Sequence, residues 1–166
     1  METYDYHGWH IKHNDTLYKR FITEKKNVVR EEEEQLKNKV YHLCNGTRLA
    51  VEVGCHYGFS TKALSKHFNI VHSFDFDNDI FSCCQMNMKK FKCKNVILHP
   101  YGLGNKEENV AIKDERGPLS NAVDPAGNDK KFKIKTLDSM QLDNCDLITI
   151  DTEGYECKVL EGATQT

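Results

Sequence analysis

The chain has 166 residues, 39% of them hydrophobic and 29% charged, with a formal net charge of −2. That length allows one domain with a real core plus an extension. The near-neutral charge excludes a whole-chain attraction to nucleic acid or to a membrane surface. Seven cysteines occur without a Cys-x-x-Cys pair, so no disulfide framework and no metal site are expected, and a reducing, cytoplasmic setting is.

In chain order, residues 1–13 are rich in aromatics and histidine (Tyr4, Tyr6, His7, Trp9, His10, His13) without a clear period. They read as a terminal arm packed over something, and they hold no apolar leader. No apolar run approaches the roughly 20 residues needed to span a bilayer. Asn14-Asp15-Thr16 offers helix N-cap chemistry. Leu17, Tyr18, Phe21, Ile22, Val28, Val29, Leu36, Val40 and Leu43 follow at helical spacing. A break is expected near Asn27 and closure at Asn45-Gly46. Residues 1–46 thus read as an arm and amphipathic helix, and 47–166 as the core.

Residues 48–53 form the first buried strand, 59–68 a helix, 69–76 a second strand, and 96–98 a third. The intervening helix, capped by Asn78 or Asp79, carries Ile80, Phe81, Cys84, Met88 and Phe91 inward. This β-α-β-α-β order predicts an α/β fold: a Rossmann-like, doubly wound, mostly parallel sheet with an N-terminal helical extension. A short strand at 109–113, a loop at 117–129 and a half-exposed strand at 131–137 should follow. A buried strand at 146–151 and a helix at 154–163, with Tyr155, Val159 and Leu160 inward, complete the pattern.

The stretch from Leu49 to Thr61 organises the rest. Gly54 and Gly58 allow turns that a Cβ would obstruct. A strand, turn and helix of this kind aim backbone N–H groups at one point, where an anionic group can sit. Glu52 at the end of the first strand complicates that picture. A carboxylate there repels a pyrophosphate and suits a ligand carrying a cation. Asp75, at the end of the second strand, is placed to accept hydrogen bonds from a ribose diol. The spacing is Gly-x-x-x-Gly rather than Gly-x-Gly-x-x-Gly. Both features favour S-adenosylmethionine, with its sulfonium and ammonium, over NAD. In the cluster from Asp146 to Glu156, Asp151 and Glu153 leave a strand's carboxyl end, where a carboxylate can hold or deprotonate a substrate hydroxyl. Glu153 and Glu156 equally suit the positive end of the following helix. His56 is an alternative base.

The motifs resemble the FkbM family of S-adenosylmethionine-dependent methyltransferases, in the family's order, over residues 49–163. Val51-Glu52-Val53-Gly54-Cys55-His56-Tyr57-Gly58 resembles its acid-x-Gly-Ala-x-x-Gly turn. Ser73-Phe74-Asp75-Phe76 resembles its Ala-Phe-Glu-Pro, and Asn87 falls where the family often has an asparagine. Tyr101-Gly102-Leu103-Gly104 resembles its Ala-Leu-Gly, and Thr136-Leu137-Asp138-Ser139 its Thr-Leu-Asp-Ser. Ile150-Asp151-Thr152-Glu153-Gly154-Tyr155-Glu156, followed by Leu160-Glu161-Gly162-Ala163, resembles its Ile-Asp-Val-Glu-Gly-x-Glu with Leu-x-Gly-Ala. Asp75, Phe76 and Cys55 replace the family's glutamate, proline and alanine.

The resemblance implies methyl transfer from S-adenosylmethionine to an oxygen of a sugar, glycan or small metabolite. It implies that Glu52 faces the methionine ammonium and that Gly54, Cys55, His56, Tyr57 and Gly58 wrap the methionine. Asp75 and Phe76 would take the ribose, Gly102 and Leu103 the adenine, and Asp151 or Glu153 the acceptor. A complete class I sheet carries further strands beyond this last helix, so the C-terminal strands are expected to be missing. An open edge would favour self-association. The alternatives are a non-catalytic module that binds S-adenosylmethionine or a partner, and an NAD-dependent oxidoreductase. No nucleic-acid partner is expected, because the Asn/Asp-Pro-Pro-aromatic motif and a net basic surface are absent from the sequence.

Overall fold

The computed structural model describes residues 3–24, 28–111 and 131–166. The N-terminal segment is not an aperiodic arm but a hairpin. Strands β1 (Thr3–Tyr6) and β2 (Trp9–Lys12) pair antiparallel. His7 and Gly8 join them with φ of 49° and 90°, the left-handed pair that a two-residue hairpin turn requires. Trp9 and Ile11 alternate inward along β2 and are buried, in one cluster with Tyr57, Phe59, Cys83, Cys84 and Met88.

Helix α1 (Thr16–Glu24) begins where the N-cap pattern places it, with Tyr18 N donating to Asp15 Oδ1 at 3.0 Å. Helix α2 (Val28–Lys39) follows; the break expected near Asn27 lies outside the described residues. This helix does not run to Asn45-Gly46. A 3-10 turn (Tyr41–Leu43) replaces its last part. Tyr41 stacks on His67 at 3.8 Å and meets Phe68 edge-on, while Leu43 is left 72% exposed. Tertiary packing of one ring outweighs the helical period here.

The core elements are β3 (Leu49–Val53), α3 (Phe59–Ser65), β4 (Ile70–Phe74), α4 (Asn78–Lys90) and β5 (Val96–His99). After them come β6 (Gly102–Leu103), β7 (Glu108–Ala111), β8 (Lys131–Lys135), β9 (Cys145–Ile150) and α5 (Glu156–Glu161). Strands β5-β4-β3-β9 form a parallel sheet in that order, as the β-α-β-α-β pattern predicts. Every residue of β3 is buried, because helices cover both faces. Ala50 and Val71 pack with Leu64 and Phe68 on one face. Val51, Val53 and Phe74 pack with Tyr155 and Val159 on the other. A smaller sheet, β6-β8-β7, stands between β5 and β9 in the chain; the loop expected at 117–129 lies outside the described residues.

Other boundaries differ from the sequence pattern as well: the helix expected at 59–68 ends at Ser65, and the strand expected at 131–137 ends at Lys135. The cap of α4 is Asp77, whose Oδ1 accepts from Asp79 N and Ile80 N at 2.9 and 3.1 Å, rather than Asn78 or Asp79. Helix α5 is shorter than 154–163, and Leu160 faces outward at 56% exposure while Val159 is fully buried. Adjacent helical positions point about 100° apart, so burying Val159 turns Leu160 away. No described helix is long and apolar enough to cross a membrane.

Candidate functional site

Strand β3 lies between β4, which follows it in the chain, and β9, reached only later from the other side. The carboxyl end of β3 is therefore the switch point where open parallel sheets bind ligands. Val53 is level with Phe74 on β4 and Ile150 on β9. The next residue of each strand, Gly54, Asp75 and Asp151, consequently stand in a row. Neighbouring strands lie about 5 Å apart, so Asp75 and Asp151 are roughly 10 Å from each other across Gly54.

Gly54 adopts φ of +92°, and a Cβ there would lie 2.0 Å from the Asp151 carbonyl oxygen. Gly58 adopts φ of +87°, and a Cβ there would lie 2.7 Å from Met88 Cε. Four of the loop's N–H groups are bonded within the protein rather than held open for a ligand's anion. Gly54 N and Cys55 N both donate to Phe74 O at 2.9 and 3.0 Å, and Gly58 N donates to Cys55 O at 2.8 Å. His56 N donates to Asp75 Oδ2 at 2.9 Å. The loop has folded back on the end of β4, where Gly54, Cys55 and His56 spend their N–H donors.

Glu52 is 4% exposed. Its Oε2 accepts from the Thr61 hydroxyl of α3 at 2.5 Å and the Ser73 hydroxyl of β4 at 2.8 Å. These two hydroxyls orient the carboxylate. Asp75 accepts from His56 N at Oδ2 and from Asp77 N at Oδ1, the latter at 3.0 Å. Burial pushes the Asp75 carboxyl up to about 6, although these N–H groups pull the other way.

The remaining loop side chains turn into the protein. Cys55 is buried with its Sγ 3.8 Å from Cys84 Sγ, and the Cys84 thiol together with burial raises it well above the usual thiol range. Tyr57 is fully buried, and its hydroxyl donates to Asp15 Oδ2 at 2.6 Å. His56 holds φ of +49°, a conformation costing a non-glycine residue about 1 kcal/mol. Burial pushes its imidazole down to about 4, and its Nδ1 is buried with no hydrogen-bond partner among the described residues. Phe76 borders Gly102, where a Cβ would lie 3.5 Å from Phe76 Cδ1. Leu103 spends its side chain in the core.

Asp151 is fixed through its backbone, with N donating to Val53 O at 2.9 Å, and the residue is exposed. Glu153 is exposed at φ of +53°, followed by Gly154 at +112°. The carboxylate that shapes this turn is Glu156. It accepts from Thr152 N and Oγ1 and from Gly154 N at 3.0–3.1 Å, and backbone N–H bonds led by that of Gly154 hold it down to about 2.

Three residues outside the predicted site also matter to the loop. Asn87, fully buried on α4, donates from Nδ2 to Tyr57 O at 2.9 Å and to His10 O at 3.0 Å. Its Oδ1 accepts from His10 N at 2.7 Å. Asp15 and Tyr18 reach the loop from α1 and its cap, the former through Tyr57 and the latter by stacking on His56 at 4.2 Å. The family's asparagine pattern marks Asn87 and the N-cap pattern marks Asp15, while nothing local marks Tyr18.

The arrangement suits S-adenosylmethionine better than NAD. Four loop N–H groups that could cradle a pyrophosphate are already bonded within the protein. Carboxylates on β3 and at the end of β4 instead match a ligand with an ammonium and a ribose diol.

Known proteins agree with this reading at the level of family. Residues 24–166 match the family model for the methyltransferase FkbM domain. No curated protein matches the chain. Among solved structures, it is similar in part to a precorrin 8W decarboxylase from Methanobacterium thermoautotrophicum, with 25% identity and a TM-score of 0.34 over 39% of this chain and 37% of that one. It is also similar to an rRNA methylase from Streptococcus thermophilus, with 15% identity and a TM-score of 0.37 over 45% and 42%. A precorrin-6y C5,15-methyltransferase from Geobacter metallireducens gives 13% identity and a TM-score of 0.40 over 57% and 44%. The chain spans about two-fifths of the length of each of these structures, and at such TM-scores the family match alone carries weight. The chain belongs to the FkbM methyltransferase family, whose methyl donor is S-adenosylmethionine.

Proposed function

We propose that the protein methylates a hydroxyl of a sugar or other small metabolite. The observation that carries this reading is the row Asp75, Gly54 and Asp151 at the switch point, with the Glu52 carboxylate buried beside it. Glu52 holds the methionine ammonium, and Asp75 accepts the ribose hydroxyls. Phe76, Gly102 and the Leu103 backbone border the adenine. Bound S-adenosylmethionine supplies an electrophilic methyl group on its sulfonium. Asp151, exposed across Gly54 from Asp75, orients the acceptor hydroxyl and takes its proton at a carboxylate oxygen. Glu153 lies two residues further along the turn and serves the rim. The protein's main contribution is alignment of donor and acceptor. Support for an oxygen acceptor comes from the resemblance to the family; the carboxylate is the group such an acceptor needs.

The test uses methyl-labelled donor and a panel of sugar and small hydroxyl acceptors. Asp151→Asn should lower turnover at least about 100-fold while leaving donor affinity unchanged, and Glu153→Gln should cost much less. Full turnover by Asp151→Asn removes it as the base. Donor binding without transfer to any acceptor favours the non-catalytic module.

A further inference from the structure

Residues 3–23 lie ahead of the segment that matches the family model, 24–166, yet they form the back wall of the cofactor loop. Asn87 clamps both backbone groups of His10 on β2 and, with the same side chain, the Tyr57 carbonyl of the loop. Asp15 uses one oxygen to cap α1 through Tyr18 N and the other to accept from the Tyr57 hydroxyl. The Tyr18 ring lies over the His56 imidazole with 22° between planes and 4.2 Å between centroids. The corner His56-Tyr57 is thus fixed from behind by an element outside the matched segment, at a residue whose left-handed φ has a cost of its own.

We propose that Asp15 and Tyr18 are positioning residues for S-adenosylmethionine, holding His56-Tyr57 in the binding conformation before the ligand arrives. Neither side chain need touch the ligand. His56 N is one of the backbone donors on the Asp75 carboxylate, with those of Asp77 and Phe76, so releasing this corner also loosens the group assigned to the ribose. A loop already ordered loses less entropy on binding than one that must be ordered. The inference rests on the cofactor reading above and extends it to a segment the family model does not cover.

The experiment titrates the full chain with S-adenosylmethionine by calorimetry. Tyr18→Ala should weaken binding about tenfold, Tyr18→Phe should restore it by keeping the stacked ring, and Tyr57→Phe should weaken it several-fold by losing only a hydroxyl. Trp9 is the sole tryptophan and is buried in the hairpin, so unchanged emission certifies that each variant keeps the hairpin docked. Because coupling is reciprocal, saturating ligand should also slow amide exchange at His10 and Tyr18 in the wild type. Wild-type affinity in a docked Tyr18→Ala chain overturns the inference and leaves the cofactor reading intact, as does a Tyr18→Phe variant no better than Tyr18→Ala. A wild-type chain that binds no S-adenosylmethionine overturns the cofactor reading and the inference together.

Discussion

Gly54→Ala should be the most damaging single change in the loop. An L-residue held at this left-handed φ costs about 1 kcal/mol. The new methyl would also lie 2.0 Å from the Asp151 carbonyl oxygen, a backbone atom that cannot swing aside like a flexible side chain. Relieving that contact means parting the ends of β3 and β9, an overpacking cost of about 1–3 kcal/mol. The expected total is a loss of about 2–4 kcal/mol in denaturant unfolding, together with lost cofactor binding. Gly154→Ala is the internal comparison. It meets the same kind of backbone strain at φ of +112° but has nothing within 4 Å of the added Cβ. It should cost about 1 kcal/mol only. Equal costs for the two variants would show that the close approach of Gly54 to Asp151 is not what demands glycine.

Asp75→Ala should weaken S-adenosylmethionine binding about 30- to 100-fold, the effect of losing hydrogen bonds to a charged acceptor, about 2–3 kcal/mol. It also strips the acceptor from His56 N and Asp77 N. The same carboxyl gives binding a pH dependence. Burial raises it to about 6, and the ionised form is the better acceptor for the ribose. Affinity should therefore be full above about pH 7 and fall as pH drops through 6, reaching about tenfold weaker at pH 5. Calorimetry across that range tests both parts, since the decline should vanish in Asp75→Ala. A decline that persists in the variant assigns the titration to another group.

What the sequence made legible was local. The apolar run that opens β3, the helical spacing of α4 and the glycine turn between strand and helix each announce themselves within one window. The acids at Glu52, Asp75 and Asp151 follow once those elements are laid in order, because a parallel sheet brings its carboxyl ends to one edge. The rest depends on long-range contacts. The hairpin's period hides among histidines and becomes visible only when His7-Gly8 is recognised as its turn. The end of α2 depends on Tyr41 finding His67, which no helical period reveals. That three loop N–H groups are spent on Phe74 and Asp75 depends on how closely β3 and β4 approach. The bond between Tyr57 and Asp15 joins residues 42 apart in sequence, with no motif to connect them.

The central claim is that the switch point between β4 and β9 is built for a cationic adenosine ligand. Parallel calorimetric titrations of the wild-type chain with S-adenosylmethionine and with NAD test it most directly. The account predicts saturable one-to-one binding of S-adenosylmethionine and no binding of NAD. Binding of NAD without S-adenosylmethionine would contradict it.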